Sequence, residues 1–174
     1  KSPLFVIEKR SETRHLILLH PGSGLIFDYQ KLAGKFTQPL SIYAINNPYF
    51  GNPTVYFNSL EEMVMYYTNI IKNQNLKGSF IIGGWSFGGI LSLEITKRLE
   101  RELRIEFVLL LDSTFVDPHI YNDLPSPIHE EEELAFHMGY PDEIKITMRL
   151  EGEKTEKMIS QWVPPCIETS VILI

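Results

Sequence analysis

Cysteine is almost absent from this chain: Cys166 stands alone among 174 residues. A lone thiol cannot close an internal disulfide, so the fold must rest on packing and hydrogen bonds, and a reducing, cytoplasmic setting suits it. Long apolar runs are missing too. None approaches the roughly 20 residues needed to cross a bilayer, and the first residues carry no signal-peptide pattern, so no membrane partner is expected. Positive charge is scarce, with 16 Lys and Arg against 22 Asp and Glu for a net −6. That balance excludes the broad basic face of a nucleic-acid binder. Neither G-x-x-x-x-G-K-[ST] nor G-x-G-x-x-G occurs, which argues against a phosphate loop. No histidine pairs with the cysteine at a zinc-like spacing, so neither a metal nor a cofactor of its own is expected.

What is present reads as one soluble domain, 1–174, with 44% hydrophobic residues. Short β-like runs alternate with helical ones. Leu4–Ile7, Leu16–Leu19, Ile42–Ile45, Phe80–Gly83 and Phe107–Leu111 read as strands. Tyr29–Phe36, the stretch from Ser59 to about Asn73, and Gly88 to about Glu102 read as helices, with Ser59 and Glu62 spaced as a capping box. Strands that are apolar almost throughout, alternating with helices, predict an α/β fold with a mostly parallel sheet covered on both faces. After Asp112 the chain turns proline-rich and acidic, and Glu130–Glu133 reads as a solvated helix start. A buried-strand signal returns at Thr169–Ile174.

The densest signal is "FIIGGWSFGG". Gly84-Trp85-Ser86-Phe87-Gly88 fits G-x-S-x-G between a predicted strand and a predicted helix, the context a nucleophile elbow requires. A strand turning sharply into a helix strains its central residue, and the flanking positions must lack a β-carbon for the two arms to approach. The result is a hydroxyl at a helix N-terminus, where free N–H groups favour developing negative charge. Ser86 is the candidate nucleophile, and the Phe87 N–H a candidate oxyanion donor.

An elbow needs an acid and then a histidine later in the chain. Asp112 ends the strand after the elbow helix, which in an open α/β sheet brings it to the same rim as Ser86; Asp117 is the fallback. The loop "HPGSG" after the second strand can supply the second donor, with Gly22 as candidate. His20 precedes the nucleophile in sequence and reads as packing beneath that loop. Lys97, Arg98, Arg101 and Arg104 gather after the elbow, balanced by Glu94, Glu100 and Glu102, as a solvated helix face would be.

In this order and spacing, "HPGSG", "GGWSFGG" and "VLLLDS" resemble the thioesterase domains of nonribosomal peptide, polyketide and fatty-acid synthases. The resemblance covers Leu4 to about Ser113 and returns weakly at "PPCIETSVILI". It implies an α/β-hydrolase in which Ser86 takes an acyl chain from the phosphopantetheine arm of an acyl or peptidyl carrier protein in the same synthase. Water, an internal nucleophile or a carbanion then resolves the ester. The segment from about Phe115 to Trp162 would be a helical lid over the acyl channel.

One element of the family pattern is not found. Its general base is a histidine beyond the final strand, whereas this sequence stops at Ile174, and His119, His129 and His137 all fall in the lid-like segment. The resemblance therefore implies a domain incomplete at its C-terminus, without its last strand and histidine region; a true truncation and an unusual base are the alternatives. Two other functions remain open at this point: an esterase for small free esters, and an inactive module that binds acyl groups or carrier proteins.

Overall fold

In the computed structural model, which describes residues 2–113 and 139–174, six strands form one sheet in the order β1-β3-β2-β4-β5-β6. They are β1 (Leu4–Glu8), β2 (Arg14–Leu19), β3 (Ser41–Ile45), β4 (Ser79–Trp85), β5 (Arg104–Leu111) and β6 (Val171–Leu173). Only β1 runs antiparallel to its neighbour, β3; the other pairings are parallel. The helices are α1 (Phe27–Ala33), α2 (Leu60–Asn73), α3 (Phe87–Leu99) and α4 (Asp142–Ile159).

The side-chain period of two explains both cores. Ile17, Leu19, Tyr43, Ile45 and Ile82 face α2 and α3, and with Met63, Val64, Tyr67, Leu91 and Ile95 they make the larger cluster. Leu16, Leu18, Ile42, Ala44 and Ile81 face the other way, onto Tyr29 and Ala33 of α1. Because both faces are covered, β2 and β3 carry no polar alternation, which is why they read as apolar runs. The α2 start behaves as its sequence predicts: Ser59 Oγ accepts from the Glu62 N–H at 3.1 Å. The Glu62 carboxylate reaches one residue further back than the standard box, accepting from the Asn58 N–H at 2.8 Å. Such a cap is worth about 1 kcal/mol.

Two elements depart from expectation. The apolar "VILI" pairs with β5 but is not buried: among the described residues it forms the sheet's edge, and Leu173 is 64% exposed. Hydrophobicity announced a strand there, while its place in the strand order sets its exposure. The long α4 was not placed from sequence, although Pro141 followed by Asp142 and Glu143 is an ordinary helix start. Residues 114–138, which hold Asp117, His119, His129, His137 and the acidic run, lie outside the described residues.

The connections define where a ligand can sit. From β2 the chain moves through α1 to β3 on one side, then crosses through α2 to β4 on the other side of β2. The order thus reverses at the β2/β4 boundary, and the crevice outside the carboxyl ends of those strands is where open α/β sheets bind ligands. "HPGSG" leaves β2 at this boundary, and the serine corner leaves β4.

Candidate active site

Ser86 stands between the last residue of β4 and the first of α3, with φ 53° and ψ −122°. A positive φ is costly for a residue with a β-carbon, so its neighbours must impose it. The Ser86 N–H donates to the Leu111 carbonyl at 3.0 Å, and its own carbonyl accepts from the Gly89 N–H at 2.9 Å. Gly84 and Gly88 touch back to back: a β-carbon on Gly84 would lie 2.6 Å from the Gly88 oxygen, and one on Gly88 would overlap the Leu19 carbonyl. Gly89 leaves room for Ser113, whose hydroxyl donates to the Ser86 carbonyl at 3.0 Å. Four segments therefore hold one peptide corner.

A serine before a helix ordinarily spends its hydroxyl capping that helix. Ser86 does not: it makes no side-chain cap bond, and its Oγ has no hydrogen-bond partner among the described residues. Ser86 is half-buried at the rim. Phe87 is the first residue of α3, so its N–H has no intrahelical acceptor.

Asp112 directly follows β5. Trp85 pairs with Leu111 in the β4/β5 register, so Ser86 and Asp112 are the next residues on adjacent parallel strands, and both have positive φ. The structure thus brings the two to one rim. Asp112 is exposed, and its N–H donates to the Ile174 carbonyl at 2.8 Å, tying this corner to the end of β6.

Gly22 is buried in the β2 loop, across the Leu19–Gly84 register pair from the elbow. Its N–H has no acceptor among the described residues, while Gly24 closes the turn by donating to the Pro21 carbonyl at 2.9 Å. His20 is fully buried beneath this loop, as expected of it. Its Nδ1 lies 2.7 Å from the Pro21 carbonyl and its Nε2 lies 2.7 Å from the Tyr67 hydroxyl. Burial pushes its pKa down to about 4, so the ring is neutral at neutral pH.

Sequence reasoning missed several supports of the site. The Tyr29 hydroxyl donates to the Leu19 carbonyl at 2.6 Å and accepts from the Trp85 N–H at 2.8 Å, pinning the ends of β2 and β4 together under the crevice. Asn47 links the same loop to α4: its N–H donates to the Gly24 carbonyl at 3.0 Å, and its Nδ2 to Glu151 Oε2 at 2.9 Å. Glu151, 4% exposed, has its other oxygen paired with Lys154 at 2.7 Å. The basic residues after the elbow are partly spent on their own chain. Arg98 pairs with Glu61 and Glu94, and the Lys97 ammonium donates to the Cys166 carbonyl at 2.5 Å. Among the described residues no cluster of His, Cys, Asp or Glu could hold a metal ion, and no helix is long and apolar enough to cross a membrane.

A strained serine at a strand–helix corner, unspent N–H groups beside it and an aspartate on the next strand end define an α/β-hydrolase scaffold. Comparison with known proteins agrees. The thioesterase domain family matches residues 14–122, and the chain belongs to that family. Over 102 residues it is 33% identical to the probable thioesterase gloN of Glarea lozoyensis, a match covering 58% of this chain and 35% of that protein. Over 119 residues it is 31% identical to the atromentin synthetase of Tapinella panuoides, covering 68% of this chain and 12% of that protein. Among solved structures, the NocB thioesterase domain in covalent complex with a fluorophosphonate nocardicin G analogue superposes with a TM-score of 0.81. That match has 23% identity and covers 99% of this chain and 76% of that one. The chain thus spans about a third of the length of gloN and a smaller share of the synthetase.

Proposed function

We propose that this domain is an acyl-thioester hydrolase or acyltransferase that releases a product from a carrier protein through an acyl-Ser86 intermediate. The observation that carries the reading is the Ser86 hydroxyl, which has no partner among the described residues and is held at positive φ beside the first N–H of α3. In the proposed step, Ser86 Oγ attacks the thioester carbonyl as its proton passes to a general base. The carbonyl oxygen takes up negative charge between the N–H groups of Phe87 and Gly22. Collapse of the tetrahedral intermediate breaks the C–S bond, and the proton goes to the departing pantetheine thiolate. Water or an internal nucleophile then attacks the ester to free the acid or the cyclic product. Asp112 is the acid that orients the base. In this reading α4 belongs to the lid segment of about 115–162, with Asn47–Glu151 as one of its attachments to the body.

The carrier protein and its phosphopantetheine arm enter by likeness to synthetases such as the relative from Tapinella panuoides. The test compares catalytic efficiency on an acyl-pantetheine thioester with that on the matching oxygen ester. A preference for the thioester, with turnover lost in Ser86→Ala, supports the proposal. A preference for the oxygen ester makes the domain a small-ester esterase, and turnover that survives Ser86→Ala removes the serine from the mechanism.

A further inference from the structure

His20 touches the surroundings of both oxyanion donors. Its Nδ1 meets the Pro21 carbonyl, and its ring packs against that of Phe87 with centroids 6.1 Å apart. The Pro21 carbonyl and the Gly22 N–H belong to one peptide unit, which is planar, with C=O and N–H pointing in opposite directions. Fixing the carbonyl therefore fixes the direction of the N–H. Two donors fix this carbonyl: the imidazole from beneath, and the Gly24 N–H through the turn.

Hydrogen-bond logic then determines the tautomer. A carbonyl only accepts, so Nδ1 must carry the proton. In a neutral ring Nε2 is then bare, and the Tyr67 hydroxyl must be donating to it at 2.7 Å. Tyr67 is itself fully buried on α2, edge-on to the His20 ring with centroids 5.5 Å apart. The two contacts act together: the Pro21 carbonyl favours a proton on Nδ1, since a bare Nδ1 facing it would be repelled, and the Tyr67 hydroxyl saturates the bare Nε2. We propose that His20, held as the Nδ1–H tautomer by the Pro21 carbonyl and the Tyr67 hydroxyl, is a positioning residue that aims the Gly22 N–H into the oxyanion hole. The inference rests on the proposal that Gly22 is an oxyanion donor, and it assigns His20 no proton transfer.

The first test reads the tautomer directly, by ¹⁵N-imidazole NMR of the histidine-labelled protein at neutral pH. His20 should show a protonated Nδ1 and a bare Nε2; a protonated Nε2 in the unaltered protein overturns the proposal. The second test compares acylation of Ser86 by an acyl-N-acetylcysteamine thioester in His20→Leu and His20→Asn. Both lose the ring and should lose similar Tm, but the asparagine amide can still donate to the Pro21 carbonyl. Losing a whole oxyanion donor costs about 10²–10³ in rate, so a misaimed one should cost about tenfold or more. His20→Leu should therefore lose kcat with little change in KM, and His20→Asn should recover most of it. Equal losses that track Tm would make His20 purely structural. If neither variant folds, the tautomer in the unaltered protein decides. Should the unaltered protein fail to acylate, or acylate equally in Ser86→Ala, the proposed function fails, while the tautomer result still stands by itself.

Discussion

The two ends of the sheet are built on opposite rules. At the amino ends of the central strands a partly buried charge cluster is matched within the chain. Arg14 Nη2 donates to Glu106 at 2.7 Å, and the Ser79 hydroxyl donates to the same carboxylate at 2.5 Å. At the carboxyl ends the chain leaves groups unmatched. Two of the three non-glycine residues with positive φ among the described residues, Ser86 and Asp112, stand side by side there. Among the described residues, the N–H groups of Phe87 and Gly22 and the hydroxyl of Ser86 have no partner at the same rim. Strain and free donors cost stability; the opposite end carries smaller costs of its own, a buried His15 Nδ1 with no partner among the described residues and Asn75 at φ 52°. The difference teaches that the sheet is a platform whose carboxyl edge, the working edge of the proposed function, carries the strained serine corner.

The largest effect should come from forcing the working edge apart. In Gly88→Val the new side chain would overlap the Leu19 carbonyl and push α3 off β2. Overpacking of this kind costs about 3 kcal/mol, which denaturant unfolding would read, and acylation of Ser86 should be lost with it. A change confined to stability would mean that the elbow tolerates a shift in its helix.

Acid should separate the two ends by pH window. Unfolded histidine titrates near its ordinary 6.5, whereas folded His20 holds out to about 4. As pH falls through that interval the unfolded chain binds a proton the folded one refuses, so stability declines from about pH 6.5 and levels off near 4. The total is on the order of 3 kcal/mol, measurable as denaturation midpoints against pH. His20→Asn should flatten that stretch of the curve. Glu106 behaves in the opposite sense. The Arg14 hydrogen bond, with Ser79, holds its carboxyl below the ordinary carboxylate value. Its contribution is present above the unfolded value and disappears at lower pH, as the folded carboxylate takes its proton. This partly exposed pair is worth only about 1 kcal/mol. Glu106→Gln should cost that much stability, the smallest effect of the series, and leave the acylation rate unchanged. A changed rate would show that the two ends are coupled.

Much of the platform was legible in the sequence because it depends on local rules. Apolar runs marked the five strands from β1 to β5, Ser59 and Glu62 marked the start of α2, and the glycines around Ser86 marked the corner. The place of Asp112 at the end of β5, beside the serine corner, was legible from strand order. The supports of the site were not, because they join residues far apart in sequence: Tyr29 with Trp85, His20 with Tyr67, Asn47 with Glu151. Each is one polar side chain finding one partner inside an apolar layer, and periodicity carries no trace of such pairings. The exposure of β6 was hidden for a related reason. An apolar strand declares its type, whereas its burial depends on what stands beside it in the sheet.

The central claim is that Ser86 is the nucleophile of this working edge. Intact-protein mass spectrometry after mixing with a short acyl-N-acetylcysteamine thioester tests it most directly. The account predicts a gain of one acyl mass that maps to the peptide containing Ser86 and is absent in Ser86→Ala. A gain that persists in Ser86→Ala, or that maps to the exposed thiol of Cys166, would contradict it.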